Sequence, residues 1–111
     1  MEDSKLKEIF SDCIPLFIAL GDTTRLTIIE HLFEIKQTGG GQKFPGLNVK
    51  EITEQTNLSR PAISHHLKVL RESGLVSVTQ RGVCNYYYLT SDSAIDRLIR
   101  LKDELQKCSA T

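Results

Sequence analysis

Apolar side chains recur at helical spacing over most of this chain and give way to a β-type pattern only around residues 75–90. In "LKEIF" they fall at Leu6, Ile9 and Phe10, and a second apolar stretch follows in "CIPLFIALG". Asp12 reads as an N-cap with Pro15 in the tolerated first turn. The pattern therefore predicts a short helix, a break near Ser11–Asp12 and a second helix ending at Gly21. Asp22 caps a longer helix, "TTRLTIIEHLFEIKQ", whose Leu26, Ile29, Leu32 and Phe33 are expected to form one apolar face. The following "TGGGQKFPG", residues 38–46, is glycine-rich and long for a helix–helix link, so it reads as a mobile insert or a functional loop.

The sharpest local signals come next. Asn48 with Glu51 three residues later is a capping-box pattern, and Leu47 is placed to staple onto Ile52, so a helix should start at Val49. It has room for about two turns before Asn57, which tolerates the left-handed conformation, and Ser59, which can cap a new helix. Leu58 can staple onto Ile63, Pro61 sits in the first turn, and Gly74 ends the helix. Two short helices across a tight turn predict a helix-turn-helix over residues 48–74. "LVSVTQ" and "CNYYYLT", with Arg81–Gly82 at the turn between them, then predict a β-hairpin over 75–90. The last segment, "SDSAIDRLIRLKDELQKC", is a helix with Ile95, Leu98, Ile99 and Leu105 on one stripe.

At roughly 100° per residue, the second helix of the pair divides cleanly. Ile63, His66, Leu67 and Leu70 share one side, while Arg60, Pro61, Ser64, His65, Lys68 and Arg71 fall nearly opposite. A helix of this kind docks on a core with one side and offers hydroxyl, imidazole and guanidinium groups to base edges and phosphates with the other. A hairpin with a basic tip directly after it completes a winged-helix arrangement, whose tip can touch phosphate or enter a minor groove. The expected fold class is thus mainly α with a small β-hairpin, in a single domain. The C-terminal segment, 91–108, lies outside the winged-helix core and would expose its apolar stripe in a monomer, so it is expected to pack with the N-terminal segment, 1–21, across a two-fold dimer. The expected interface carries Leu6, Ile9, Phe10, Ile95, Leu98, Ile99 and Leu105.

Composition adjusts this picture in four ways. The chain has 111 residues, enough for one modest core that a dimer partner would help to bury. Fourteen basic and fourteen acidic side chains cancel, so attraction to nucleic acid must come from local placement. Between Asn57 and Arg81 four Arg or Lys face one acid, Glu72, which is such a placement. There is no apolar run of about 18 residues and no signal-peptide layout in "MEDSKLKEIF", so a cytoplasmic protein with no membrane partner is expected. Cys13, Cys84 and Cys108 are an odd number at wide spacings, which suits reduced thiols better than a disulfide framework.

These motifs resemble the ArsR/SmtB family of bacterial winged-helix repressors over about residues 16–90. "LFIALGDTTRLTIIEHL" is similar to that family's helix pair, and "LSRPAISHHLKVLRESGLVSVTQRGVCNYYYL" to its recognition helix and wing. The resemblance implies a homodimer, joined through its first and last helices, that binds an imperfect inverted repeat in double-stranded DNA and represses transcription. By position it implies groove-facing roles for Ser59, Arg60, Ser64 and His65, with Lys68 and Arg81 near the backbone, and it matches His66 to the family's histidine before the core leucine. The family's familiar metal sites find no counterpart. "LNVKEITEQ" lacks Cys and His, and "SDSAIDRLIRLKDELQKC" lacks His, so no metal or other cofactor is expected. A thiol switch through Cys13 and Cys108, both in segments assigned to the interface, stays open, and the class of any effector is not legible.

Other tempting residues have ordinary readings. Adjacent histidines on a helix point about 100° apart and do not readily share a metal, so His66 is expected against the core and His65 in solvent. His31 reads as a surface or edge residue, Cys84 as an ordinary thiol, and the charges of the last helix as a solvated surface. Tyr86 and Tyr88 should share one strand face with Tyr87 on the other. An enzyme is not expected: no acid–base pair or nucleophile motif is present, and "TGGGQK" lacks the Ser or Thr and the following helix of a phosphate-binding loop. A winged-helix module that binds proteins and not DNA is the remaining alternative.

Overall fold

In a computed structural model the structure describes residues 2–38, 46–90 and 92–109. The elements run α1 (Glu2–Leu20), α2 (Thr23–Thr38), α3 (Val49–Thr56), α4 (Arg60–Glu72), β1 (Val76–Arg81), β2 (Cys84–Leu89) and α5 (Asp92–Ser109). Most of the Gly-rich link, residues 39–45, lies outside the described residues. Among the described residues no helix is long and apolar enough to cross a membrane.

The expected break near Ser11–Asp12 is absent, and α1 runs unbroken with Pro15 inside it. Proline removes the hydrogen bond to the carbonyl four residues earlier. That loss is outweighed because Ile9, Cys13, Leu16 and Ala19 form one fully buried stripe that only a continuous helix can present. Asp22 caps α2 as expected, accepting the amides of Thr24 at 2.8 Å and Arg25 at 3.1 Å. The core side of α2 differs from the expected one. Ile28 and Leu32 are buried with Ile29 and Ile35 packed beside them, while Leu26 and Phe33 stay exposed. Ile28 lies about 40° from Leu32 around the helix, whereas Leu26 and Phe33 lie about 120° and about 100° away.

The capping reading of the middle segment is met in full. Asn48 Oδ1 accepts the Glu51 amide at 2.8 Å and Glu51 Oε1 accepts the Asn48 amide at 2.9 Å. Asn57 closes α3 in the left-handed region with φ 59°. Ser59 opens α4, and Gly74 with φ 84° follows its end. The hairpin pairs from Val76↔Leu89 to Arg81↔Cys84, leaving the two-residue turn Gly82–Val83 with φ 62° at Gly82. One pairing has no periodic signature in the sequence. Leu47 forms a bridge with Tyr87 through hydrogen bonds of 2.9 and 2.8 Å. Gly46 makes this approach feasible, because a Cβ there would meet the Tyr87 carbonyl oxygen at 2.1 Å.

Two buried clusters result. The larger joins Ala19 of α1, Ile28 and Leu32 of α2, Leu47, Ile52 of α3, three residues of α4 and Val76 of β1. It seats the helix-turn-helix on α2 and the wing. The smaller joins Ile9 and Cys13 to Leu101 of α5, with Leu6 packed against it. Of the residues expected at the interface, Ile9 is thus buried within its own chain against α5 and Leu6 is half-buried beside it.

Candidate nucleic-acid interface

Helix α4 is fixed by its inner side. Ile63, Leu67 and Leu70 are fully buried, which leaves Arg60, Pro61, Ser64, His65, Lys68 and Arg71 exposed in a row on the outside. Six of the seven residues singled out for DNA lie on or just before this helix. The seventh, Arg81, is the last residue of β1, opposite Cys84 and beside the turn. Ser59 is partly committed, since its Oγ accepts the Ala62 amide at 3.3 Å, which leaves its hydroxyl proton and one lone pair.

The two histidines part company as their spacing requires. Their ring centroids are 5.9 Å apart with planes tilted by 58°. His65 is exposed, whereas His66 is half-buried with its Nδ1 at 3.2 Å from Arg25 Nη1. Arginine can only donate, so Nδ1 accepts and the proton of the neutral ring sits on Nε2. Asp22 closes this group. The Arg25 amide is the largest influence holding its carboxyl below the ordinary value of 3.8; slight burial opposes this, and the Thr24 amide and the Arg25 charge assist it.

Two grooves flank α4 and bring in residues that the sequence reading passed over. One, of about 590 Å³, lies between Lys68 and Arg71 of α4 and Ser77 and Tyr88 of the hairpin. The other, of about 330 Å³, has Lys50 of α3 and Arg60 of α4 on one wall and Val83 and Asn85 of the wing on the other. Lys50 lies outside the recognition motif, and a three-element groove leaves no local signal. Val83 projects from the turn with 98% of its surface exposed. The tyrosines alternate as expected: Tyr87 packs on the core, and Tyr88 lines the first groove.

The remaining singled-out residues lie on α1, α5 and β2. Phe10, Ile95, Ile99 and Leu105 are exposed, and Leu98 is half-buried. Ile14, Phe17 and Ile18 of α1 join them and were missed because the expected break at Ser11–Asp12 divided their stripe. Cys13, one of the two thiols of the possible switch, is fully buried and its thiol donates to the Arg97 carbonyl at 3.6 Å. Cys108 lies in α5, and its side chain is outside the described residues. Cys84 is half-buried in β2. Among the described residues no three His, Cys, Asp or Glu side chains gather in a way that could hold a metal ion.

Comparison with known proteins agrees with this geometry. A family described as "Bacterial regulatory protein, arsR family" matches residues 44–78, the span from Leu47 through the helix-turn-helix to β1. An uncharacterised helix-turn-helix-type transcriptional regulator of Methanocaldococcus jannaschii is 34% identical over 98 residues, covering 88% of this chain and 99% of that protein. The transcriptional repressor SdpR of Bacillus subtilis is 34% identical over 76 residues, covering 68% of this chain and 73% of SdpR. Among solved structures, HlyU from Vibrio cholerae superposes with a TM-score of 0.60 at 29% identity, over 82% of this chain and 91% of HlyU. A homodimeric winged helix-turn-helix DNA-binding domain from Mycobacterium bovis gives 0.64 at 21% identity, over 91% of this chain and 83% of that domain, a likeness of fold. With α4 exposed beside a two-stranded wing and this identity extending over most of the chain, the protein belongs to the ArsR family of winged helix-turn-helix transcriptional regulators.

Proposed function

We propose that the protein is a dimeric repressor that binds an inverted-repeat operator in double-stranded DNA. The observation that carries this reading is the outer face of α4, where Arg60, Ser64, His65 and Lys68 stand exposed between two grooves lined by further cations. In this reading α4 enters a major groove, with Arg60, Ser64 and His65 against base edges and Pro61 packed beside them. Ser59, Lys68 and Arg81 contact phosphate, joined by Lys50, Arg71 and Tyr88 from the groove walls. The phosphate contacts supply much of the affinity and hold register, while base contacts select the sequence. The repressor named among the relatives favours the same direction of control.

The dimer is supported by the apolar face of α1 and α5. Phe10, Ile14, Phe17 and Ile18 with Ile95 and Ile99 remain exposed after both helices have packed on each other, and a second copy is the self-complementary partner for such a face. The two-fold axis of that dimer is what an inverted repeat mirrors.

Selection of the purified protein against a pool of random duplex DNA tests the reading. Enrichment of an inverted repeat is the expected result. Uniform weak binding with no enriched motif would overturn it and favour a winged-helix module that binds proteins.

A further inference from the structure

Two arginines outside the DNA face bind the recognition helix to the helices of the apolar face. Arg97 of α5 donates from Nη2 to the Ser73 carbonyl at 2.6 Å, from Nη1 to the Asp12 carbonyl at 3.0 Å and from Nε to the Ser93 carbonyl at 3.3 Å. One guanidinium therefore touches the C-cap of α4, the middle of α1 and its own helix. Its seat is built into the chain: a Cβ on Gly74 would come within 3.0 Å of Nη2. Arg25 of α2 makes the matching connection further along α4. It donates from Nε to the Ala19 carbonyl at 2.9 Å and from Nη2 to the Ile18 carbonyl at 2.8 Å, while Nη1 meets His66 Nδ1 at 3.2 Å. The last turn of α1 is thus joined to the middle of α4.

The choice of acceptors matters. Arg97 reaches both α4 and α1 through main-chain carbonyls, so it registers the positions of whole helices, while Arg25 holds the α1 carbonyls directly and reaches α4 through the His66 ring. The planar fork of arginine can hold two such carbonyls in fixed relation, which a lysine cannot. In the dimer, α1 and α5 define the two-fold axis and α4 carries the reading face. The angle between them sets the distance and rotation between the two copies of α4.

We propose that Arg25 and Arg97 are positioning residues that lock this angle and so fix the spacing between half-sites that the protein accepts. This rests on the dimeric DNA-binding reading above. One base pair added to a spacer displaces the second half-site by about 3.4 Å and rotates it by about 35°. A rigid pair of recognition helices cannot follow such a shift, and a loosely held pair can.

The test uses duplexes carrying the inverted repeat selected by the parent protein, with its spacer shortened or lengthened by one and two base pairs. Binding is followed by fluorescence anisotropy for the parent, Arg97→Gln, Arg25→Gln and the corresponding lysine variants. Sedimentation velocity and far-ultraviolet circular dichroism check dimer and fold. The parent is expected to lose about tenfold in affinity for each base pair of misfit. The glutamine variants, dimeric and helical, are expected to bind all spacers within about threefold of one another, and the lysine variants to fall between. Glutamine variants that keep the parent's spacing profile, or that lose affinity equally at every spacer, would overturn the proposal. Should they fail to fold, the lysine variants decide by the same criterion. If the parent selects no repeat, the operator reading itself has failed, and this proposal falls with it.

Discussion

Replacing Gly46 by alanine tests the way the wing is attached to the helix-turn-helix. The added methyl would lie 2.1 Å from the Tyr87 carbonyl oxygen and 2.7 Å from its carbon. Both are main-chain atoms, so no rotamer change relieves the overlap and the bridge between Leu47 and Tyr87 must open. Opening loses two hydrogen bonds, of 2.9 and 2.8 Å, between these residues. Each contributes about 0.5–1.5 kcal/mol net. Leu47, now 4% exposed, would also give up part of its burial. Half of the roughly 1.5–3 kcal/mol for a fully buried leucine adds about 1 kcal/mol. The total is about 2–4 kcal/mol, a large part of the roughly 5–15 kcal/mol that holds a domain folded. With a urea slope of about 2 kcal/mol per molar, the unfolding midpoint should fall by about 1–2 M. Circular dichroism in urea measures it, at one protomer concentration for parent and variant because dimerisation shifts the midpoint. A midpoint within about 0.3 M of the parent's would mean that the bridge had survived or contributed nothing.

Further outcomes follow from other sites. Arg60→Ala should cost about 1–3 kcal/mol of binding to the selected operator and relax its sequence preference, whereas Lys68→Ala should weaken all duplexes alike and flatten the salt dependence; anisotropy over a salt series separates the two. Phe17→Glu, on the exposed stripe of α1, should give a folded monomer in sedimentation velocity with operator affinity lost, and a variant that remains dimeric would remove α1 from the interface. Asp22, held below its ordinary value first by the Arg25 amide, adds stability above the unfolded-state pKa of about 3.9. That contribution disappears as pH falls through the lower folded-state value. Asp22→Asn keeps a capping oxygen but not the titration, so its stability should decline less than the parent's below about pH 4; parallel decline in acid-unfolding curves would contradict this.

What could be read from the sequence was local. The capping box at Asn48, the left-handed Asn57, the cap at Ser59 and the stop at Gly74 each satisfy main-chain groups within a few residues, so residue type alone announces them. The division of α4 into a buried and an exposed face was legible for the same reason. Where packing between distant elements decides, the pattern misled. Helix α1 is apolar on two sides, one for its own α5 and one left exposed, and this doubled stripe resembles two helices when Pro15 lies within it. Helix α2 likewise carries Leu26 and Phe33 outside its core side, so periodicity alone could not choose between them and Ile28. The Leu47–Tyr87 bridge, the Arg97 contacts and the contacts of Arg25 with α1 end on main-chain atoms, which leave no complementary residue type to recognise.

In the proposed function α4 and the wing form the surface that meets DNA. An amide-resolved nuclear magnetic resonance titration of the labelled protein with its selected duplex examines that surface directly. The largest shifts are expected at Arg60, Ser64, His65 and Lys68, with a second group at Arg81–Asn85 in the wing, while Ile14, Phe17 and Ile99 stay in place. Shifts concentrated on α1 and α5, with α4 unchanged, would contradict the proposed function.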